Sequence, residues 1–230
     1  MVASIKPENV TSGPAAAASR RKSFKSGELH IVRDDLAGLV AHDLRTPLAA
    51  ISMNLDFVLG ELPVETAEAV RAALEDCRGA NARAVRIVSD MADAVQLTAG
   101  ERRATLAEVD PCAVVASVVE GVAAEVSARE VRLSCKAAGA PVQADVYLFT
   151  RALERVVERA LWHARGGGKV DLALANGVLT VQVSPSPPCG AEGARSLGTH
   201  FAQAAMRAQG GSLAIESDDQ HLVFRMTLPL

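Results

Sequence analysis

The stretch LVAHDLRTPL, residues 39–48, decides the fold of the first third of the chain. Around it, apolar residues recur at alternating three- and four-residue steps: Leu36, Val40, Leu44, Pro47 or Leu48, Ile51, Leu55, Val58 and Leu62. This spacing predicts an amphipathic helix over residues near 32–61 that packs against other helices. His42 lies off the stripe, roughly 200° around the helix from both Val40 and Leu44. We therefore expect its imidazole ring to reach solvent.

Two polar side chains share the helical face of His42. Arg45 and Thr46 follow it at three and four residues, which are neighbouring positions on a helix surface. An imidazole in this setting can accept and donate a phosphoryl group if one ring nitrogen is free and the other is hydrogen-bonded. Asp43 is the candidate orienting residue, but adjacent helical residues do not face each other, so its role stays open. Pro47 lacks an amide hydrogen and predicts a kink just after the histidine.

The segment His42-Asp43-Leu44-Arg45-Thr46-Pro47-Leu48 resembles the H-box of two-component sensor histidine kinases. In that family the H-box belongs to a dimerisation and histidine phosphotransfer domain. The resemblance implies that His42 is the phosphoacceptor and that Asp43 is the acid that activates it. The alternative is a surface histidine on an ordinary bundle helix, and seven contiguous matches in the right helical setting favour the phosphoacceptor.

Composition limits the classes of partner. The 230-residue chain has a net charge of −3, and its 49% hydrophobic content is ample for one or two domain cores. The longest basic run is Arg20-Arg21-Lys22, so the sequence predicts a protein partner and no nucleic acid. We expect no membrane span and no signal peptide, and hence a cytoplasmic protein. The four cysteines are scattered, which predicts reduced structural thiols and no bound metal.

The chain divides into four predicted segments. Residues 1–28 read as a flexible leader, 29–99 as the phosphotransfer domain, 100–109 as a linker and 110–230 as a second domain. Within 29–99, a second helix is predicted from about Val64 to Thr98. A hairpin of two helices cannot bury both apolar faces alone, so we predict a homodimer that forms a four-helix bundle.

The second domain alternates helices and strands. Helices are predicted from Pro111, with Asp110 as N-cap, from Val146 to Ala164 and from Gly198 to Gln209. Strands are predicted near 131–135, 142, 169–175, 178–183, 212–216 and 222–228, with a hairpin turn at Asn176-Gly177. The fold class is therefore α+β: a helical hairpin followed by an α/β sandwich with helices on one face of a mixed sheet.

This order of elements resembles the catalytic ATP-binding domain of histidine kinases, but the positions that would contact nucleotide differ. Arg159 and His163 stand where that family carries asparagines that help to hold magnesium and triphosphate. A proline-rich segment that begins at Pro185 replaces the loop whose acid reads adenine, and Gly198 retains part of a glycine-rich signature. Arginine has no acceptor atom, and histidine offers magnesium only a nitrogen. We therefore expect no tightly bound cofactor and no ATP binding.

Three functions are compatible with these residues. The first is an ATP-independent phosphotransferase that exchanges phosphoryl groups between His42 and response-regulator receiver domains, with magnesium supplied by the receiver. The second is a histidine kinase with atypical or weak ATP use, favoured by the complete H-box. The third is a receiver phosphatase or sequestering module, because Asp43-Leu44-Arg45-Thr46 follows the family's acid-x-x-Thr/Asn pattern. The sequence leaves open whether the chain is an autokinase at all.

Overall fold

The computed structural model describes residues 26–63, 66–164, 166–185 and 190–228, with side chains described from Leu44 onward. Two long helices come first in the described part, α1 (Ser26–Glu61) and α2 (Glu68–Ala99). Pro47 lies inside α1. The helix α2 ends at Gly100, whose φ of 75° is the left-handed conformation that glycine adopts most readily. No helix in the described ranges is long and apolar enough to cross a membrane.

The rest of the described chain forms the α/β domain. Its helices are α3 (Pro111–Gly121), α4 (Ala123–Ala128), α5 (Val146–His163), α6 (Gly190–Gly193) and α7 (Leu197–Ala208). Its strands are β1 (Ala107–Val109), β2 (Arg132–Ala137), β3 (Val142–Ala144), β4 (Lys169–Ala175), β5 (Val178–Ser184), β6 (Ser212–Ser217) and β7 (Leu222–Thr227).

Five strands form a mixed sheet in the order β2-β4-β5-β7-β6, in which only the β2–β4 pair is parallel. A separate antiparallel pair joins β1 to β3. The inward residues of β4 and β5 alternate strictly with more exposed ones, as expected for a sheet covered on one face. Helices α5 and α7 supply the other side of the core, with Phe149, Leu153, Phe201 and Met206 fully buried. The predicted fold class is confirmed.

The local signals in the second domain correctly predicted most of its elements. The Asp110 carboxylate accepts a hydrogen bond from the Cys112 amide at 2.8 Å and caps α3. Asn176 and Gly177 both have positive φ, 51° and 72°, which is the turn that matches the twist of the β4–β5 hairpin.

The structure corrects several boundaries. Helix α1 begins at Ser26, inside the predicted leader, because adding residues to an existing helix costs little. Helix α2 begins at Glu68 and not near Val64, since the Thr66 amide donates to the Pro63 carbonyl and forms a turn first. Residues 100–109 contain β1, whose Val109 is buried, so this segment is not only a linker. Helices α4 and α6 were not predicted, and both are short.

Candidate functional site

The H-box lies in the middle of α1. Its first two residues, His42 and Asp43, have helical backbones, and their side chains lie outside the described part. Arg45 and Thr46 are exposed, as predicted for that face. Leu44 belongs to the apolar stripe and is nevertheless 44% exposed. The face that follows His42 is therefore accessible to another protein, and part of the stripe lacks a covering surface within one chain.

One buried amide fixes the register between the two helices. Asn81 on α2 donates hydrogen bonds to the Leu48 carbonyl at 3.1 Å and to the Ser52 hydroxyl at 2.6 Å. The helices of a hairpin run antiparallel with the same rise per residue. His42 precedes Leu48 and Ser52 on α1, so in an antiparallel pair it lies level with residues that follow Asn81 by the same distances. Those residues are 87–91 of α2.

At that level, a cluster of ion pairs joins α2 to α5. The carboxylate of Asp90, only 2% exposed, contacts Arg151 at 2.6 Å and Arg155 at 2.7 Å. Burial raises the pKa of Asp90, and the two guanidinium groups oppose that rise. Removing one partner of such a cluster leaves an uncompensated buried charge. We call Asp90, Asp93, Arg151 and Arg155 the interdomain clamp.

The rest of the interdomain clamp extends towards the start of the α/β domain. Asp93 pairs with Arg151 and also accepts a hydrogen bond from Arg102 at 2.8 Å. The ring of Tyr147 lies 5.2 Å from the guanidinium carbons of both Arg102 and Arg151. These contacts cross from α2 to α5 through charged groups that are mostly shielded from solvent. They hold the α/β domain beside the turn of α2 that is level with His42.

Sequence reasoning missed this clamp, although part of its signal is visible. Arg151, Arg155 and Arg159 recur at four-residue steps and form a basic stripe along α5. Asp90 and Asp93 are likewise one helical turn apart on α2. The pattern shows that each helix has a charged face. It does not show that the two faces meet, because the contact joins residues about sixty positions apart.

Arg159 occupies a position where the resemblance leads us to expect an asparagine, and its guanidinium donates hydrogen bonds to backbone carbonyls. Its guanidinium donates to the carbonyls of Gly193 and Ala194, the latter at 3.0 Å, next to the short helix α6. The guanidinium carbon also lies 4.6 Å from the centre of the Trp162 ring. Arg159 therefore ties the segment before α7 to α5. A fixed cation at this position does not fit a magnesium ion.

His163, at the other expected asparagine position, is buried. Burial lowers the pKa of its imidazole, and the positive charge of Arg159 lowers it further, while a hydrogen bond with the backbone of Gly193 acts in the opposite direction. Its ring packs edge-on against Trp162 with 4.8 Å between centres. The histidine is part of the packing between α5 and the α6 segment.

The two remaining candidates are Gly198, close to α5, and Pro185, at the end of the central strand β5. Gly198, in the first turn of α7, passes so near Arg155 that an added Cβ would meet its Cδ at 3.2 Å. The glycine at this position therefore makes room for an arginine of the clamp. Pro185 follows β5 and is exposed, and residues 186–189 of the proline-rich segment lie outside the described residues. Within the described ranges, no group of three or more His, Cys, Asp or Glu side chains is placed to hold a metal ion.

A cavity of about 530 Å³ opens where α2, α4, α5 and the start of α7 meet. Five arginines line it, namely Arg83, Arg86, Arg129, Arg155 and Arg159, together with three carboxylates and Trp162. It borders the clamp through Asp90 and Arg155. The cavity thus lies between the hairpin and the α/β domain.

The His Kinase A (phospho-acceptor) domain family matches residues 32–100. Among solved structures, the histidine kinase AdeS of Acinetobacter baumannii is similar over 82% of this chain and 97% of its own, with 16% identity and a TM-score of 0.59. Full-length ShkA, solved in complex with AMPPNP, is similar over 85% of this chain and 45% of its own, with 17% identity and a TM-score of 0.64. No curated protein matches the sequence.

These findings define the class of protein. Residues 32–100 form a phospho-acceptor domain, and they include the H-box. The structural likenesses, at such low identity, show that the two domains together have the fold of histidine kinases. The chain therefore contains a phospho-acceptor domain of the His Kinase A family, as its H-box predicts, and has the fold of histidine kinases.

Proposed function

We propose that this protein is a dimeric histidine phosphotransferase that works without ATP. His42 would take a phosphoryl group from the phospho-aspartate of one receiver domain and pass it to another. An imidazole nitrogen forms the N–P bond as the acyl O–P bond breaks and the aspartate carboxylate leaves. Positioning and neutralisation of phosphate charge supply most of the catalysis in such a transfer. Magnesium would arrive with the receiver.

The main support for this proposal is the set of hydrogen bonds that Arg159 donates to backbone carbonyls. At a position where the family holds magnesium, this chain has a permanent cation that donates to the carbonyls of Gly193 and Ala194. A donor with no lone pair cannot be a metal ligand. A kinase that transfers phosphate from ATP relies on magnesium to bridge the phosphates. These contacts favour phosphotransfer over autokinase activity.

The interdomain clamp supports the same conclusion. A kinase has to bring the γ-phosphate on its catalytic domain to its own or its partner's histidine. Here Asp90 and Arg155, both nearly buried, hold the α/β domain against α2 at 2.7 Å. A domain held in this way suits a fixed docking surface for a receiver beside the level of His42.

The exposed apolar side chains of the hairpin support a homodimer. Several lie on α1 and α2 without a covering surface in one chain, namely Leu44, Ile51, Met53, Phe57, Val58 and Val70. Leu44, Ile51 and Val58 recur at seven-residue steps and therefore lie along one face of α1, and exposed apolar surface of this kind marks an interaction site. A second copy of the hairpin would cover it and complete a four-helix bundle, as the amphipathic pattern predicts.

Arg45 and Thr46 are exposed on the face that follows His42, and we assign their roles by their chemistry. Arg45 would screen the charge of the transferred group, because a guanidinium binds phosphate oxygens well. Asp43 would orient or activate the imidazole. A second activity is favoured by exposed Thr46, whose hydroxyl lies one turn after His42 and could position water against a receiver's phospho-aspartate.

Phosphotransfer is tested with a radiolabelled phospho-receiver and the purified full chain. We expect label on the wild type that is stable to base and labile to acid, and none on His42→Ala. The matched control is His200→Ala, which removes an exposed histidine on α7 and should label like the wild type. Label on His42→Ala, or no transfer from any receiver of the same organism, would refute the assignment.

The phosphatase activity is tested by following loss of label from the receiver. Thr46→Ala should slow release of inorganic phosphate and leave labelling of His42 intact. His42→Ala should abolish transfer and retain release. If both variants release phosphate at the wild-type rate, Thr46 has no such role.

A further inference from the structure

Two cysteines of the α/β domain lie on elements that pack against each other at one edge of the sheet. Cys112 is in the first turn of α3, and Cys135 lies in β2, an edge strand with β4 as its neighbour. Helix α3 contacts β2. Both cysteines are free thiols in the structure. The fold therefore brings together two thiol-bearing elements that are distant along the chain.

The strand register places Cys135 on the face of the sheet that the helices cover. Cys135 pairs with Leu172 of β4, and Ala137 pairs with Leu174. Residues that pair in register project to the same face of a sheet. Leu172 and Leu174 are only 1% and 3% exposed, and both belong to the core between sheet and helices. Cys135 shares that face and is exposed, because β2 lies at the edge.

The start of α3 lies on the same face, at the end of β2. A Cβ added at Gly139, just beyond that strand, would lie 3.6 Å from Leu174 and 3.8 Å from the Pro111 ring. Pro111 is buried, and it directly precedes Cys112. Cys112 is half-buried and packs against the core. The two cysteines are therefore close to the same end of β2, on the same side of the sheet.

The two thiol groups also influence each other electrostatically. Burial raises the pKa of the Cys135 thiol, and the neighbouring Cys112 raises it further, because two thiolates would repel each other. A raised pKa lowers the fraction of thiolate, which is the reactive form. We therefore expect the pair to stay reduced in a reducing environment and to react slowly with an oxidant.

We propose that Cys112 and Cys135 form a reversible disulfide when the protein meets a hydroperoxide. The Cys135 sulfur, the more exposed of the two, attacks a peroxide oxygen, the O–O bond breaks and, with hydrogen peroxide, water leaves. The Cys112 sulfur then attacks the resulting sulfenic acid, the S–S bond forms and a second water leaves. Two thiols are thereby oxidised, and one peroxide is reduced to water. The proposal does not depend on phosphoryl transfer by His42.

The disulfide would tie α3 to an edge strand. Strand β2 pairs with β4 on one side, so its backbone can adjust more easily than that of a central strand to the narrow geometry of a disulfide. A cross-link between residues 112 and 135 also restricts the unfolded chain. We expect the oxidised α/β domain to melt at a higher temperature than the reduced one.

The first test maps the bond in the wild-type full chain. The protein is treated with hydrogen peroxide, its remaining thiols are alkylated, and it is digested without reductant for mass spectrometry. We expect a peptide pair that joins Cys112 to Cys135 within one chain, and dithiothreitol should release both thiols. Cys77, which is exposed on α2, should be linked to neither.

The second test measures thermal unfolding of matched variants before and after oxidation. Cys77→Ser/Cys189→Ser keeps the proposed pair and should melt several degrees higher after treatment with hydrogen peroxide, a shift that dithiothreitol reverses. Adding Cys112→Ser to this variant should abolish the shift. Circular dichroism spectra should show that both variants are folded when reduced.

Three results would overturn the proposal. The first is alkylation of both Cys112 and Cys135 after exposure to excess hydrogen peroxide. The second is a disulfide that joins these cysteines between two chains and not within one. The third is an equal rise in melting temperature when Cys112→Ser is present, which would show that the shift has another origin. None of these results bears on whether His42 accepts a phosphoryl group from a receiver.

Discussion

The helical hairpin and the α/β domain differ in how far their phenylalanine side chains are buried. Phe57 on α1 is 68% exposed, whereas Phe149 on α5 is fully buried between helices and sheet. The same contrast holds along each region, because α1 and the first part of α2 expose apolar residues and the core strands expose few. The α/β domain can bury its own surface. The hairpin needs another copy or another protein.

The phospho-acceptor motif and the best-packed core therefore lie in different regions of the molecule. The phospho-acceptor motif lies on the region that is least covered, where a partner can reach it. The positions where the resemblance leads us to expect nucleotide contacts lie on the region that is best packed, and Arg159 and His163 there make structural contacts. If nucleotide contacts are lost as we propose, a domain that keeps its core is the pattern expected for a fold retained for docking and positioning.

The largest difference between the two regions is expected when each phenylalanine is replaced by alanine. Phe149→Ala should lower the free energy of unfolding by about 4 kcal/mol, because it leaves a cavity in a closed core. Phe57→Ala should leave the stability of the α/β domain unchanged, because the Phe57 side chain is exposed on α1. Denaturant unfolding of both variants checks this. Equal losses of domain stability would contradict the contrast.

The next largest effect is expected at the interdomain clamp, which joins the two regions. Asp90→Ala should cost about 3 kcal/mol, because it removes the buried carboxylate between Arg151 and Arg155. Each guanidinium then keeps only one acidic partner, Asp93 for Arg151 and Glu158 for Arg155. Glu75→Ala is the control, since its pair with Arg78 is exposed and should contribute about 0.5 kcal/mol or less. Thermal unfolding would measure both, and limited proteolysis would show whether the domains separate. A stable, compact Asp90→Ala protein would contradict the clamp.

A smaller effect is expected at Asp145, which connects three segments of the α/β domain. Its carboxylate accepts hydrogen bonds from the amides of Leu148 at 3.0 Å and Thr105 at 2.9 Å, and so caps α5. Asp145→Ala should destabilise the domain by about 1 to 2 kcal/mol. Asp145→Asn keeps an acceptor and should recover most of that loss in chemical denaturation. Failure of the asparagine to do so would argue against the cap.

The smallest effect concerns pH. Burial and Arg159 lower the pKa of His163 below its ordinary value of 6.5, so the unfolded chain takes up a proton before the folded one does. Stability should therefore fall as the pH drops below the unfolded pKa, and level off below the folded pKa. His163→Gln should flatten this part of the melting temperature profile, and exposed His200→Gln should not. An unchanged profile in His163→Gln would refute the assignment.

The sequence predicted what depends on neighbours along the chain. The β4–β5 hairpin follows from Asn176-Gly177, and α3 follows from Asp110 and the proline after it. It missed β1, α4 and α6, because elements of three to six residues carry too few positions for a period to be visible. Only the starts of α1 and α2 differed by several residues, and before α2 the Thr66 amide donates to the Pro63 carbonyl.

The sequence predicted the candidate site only where its residues are adjacent along the chain. The H-box is seven adjacent residues, and its identification needs no tertiary contact. The departures at Arg159 and His163 were also visible, although their new partners near Gly193 were not. The interdomain clamp and the arginine-lined cavity depend on α2 meeting α5, and no local pattern determines which charged faces meet. The predicted homodimer, its receiver partners and its cytoplasmic location stay predictions.

We propose that His42 receives its phosphoryl group from a receiver and not from ATP. The direct measurement places the wild type and His42→Ala beside each other with two donors, radiolabelled γ-phosphate ATP with magnesium and a radiolabelled phospho-receiver. We predict acid-labile label on the wild type from the phospho-receiver only, and none on the variant from either donor. Acid-labile label from ATP on the wild type, absent from His42→Ala, would show a working kinase and contradict the account.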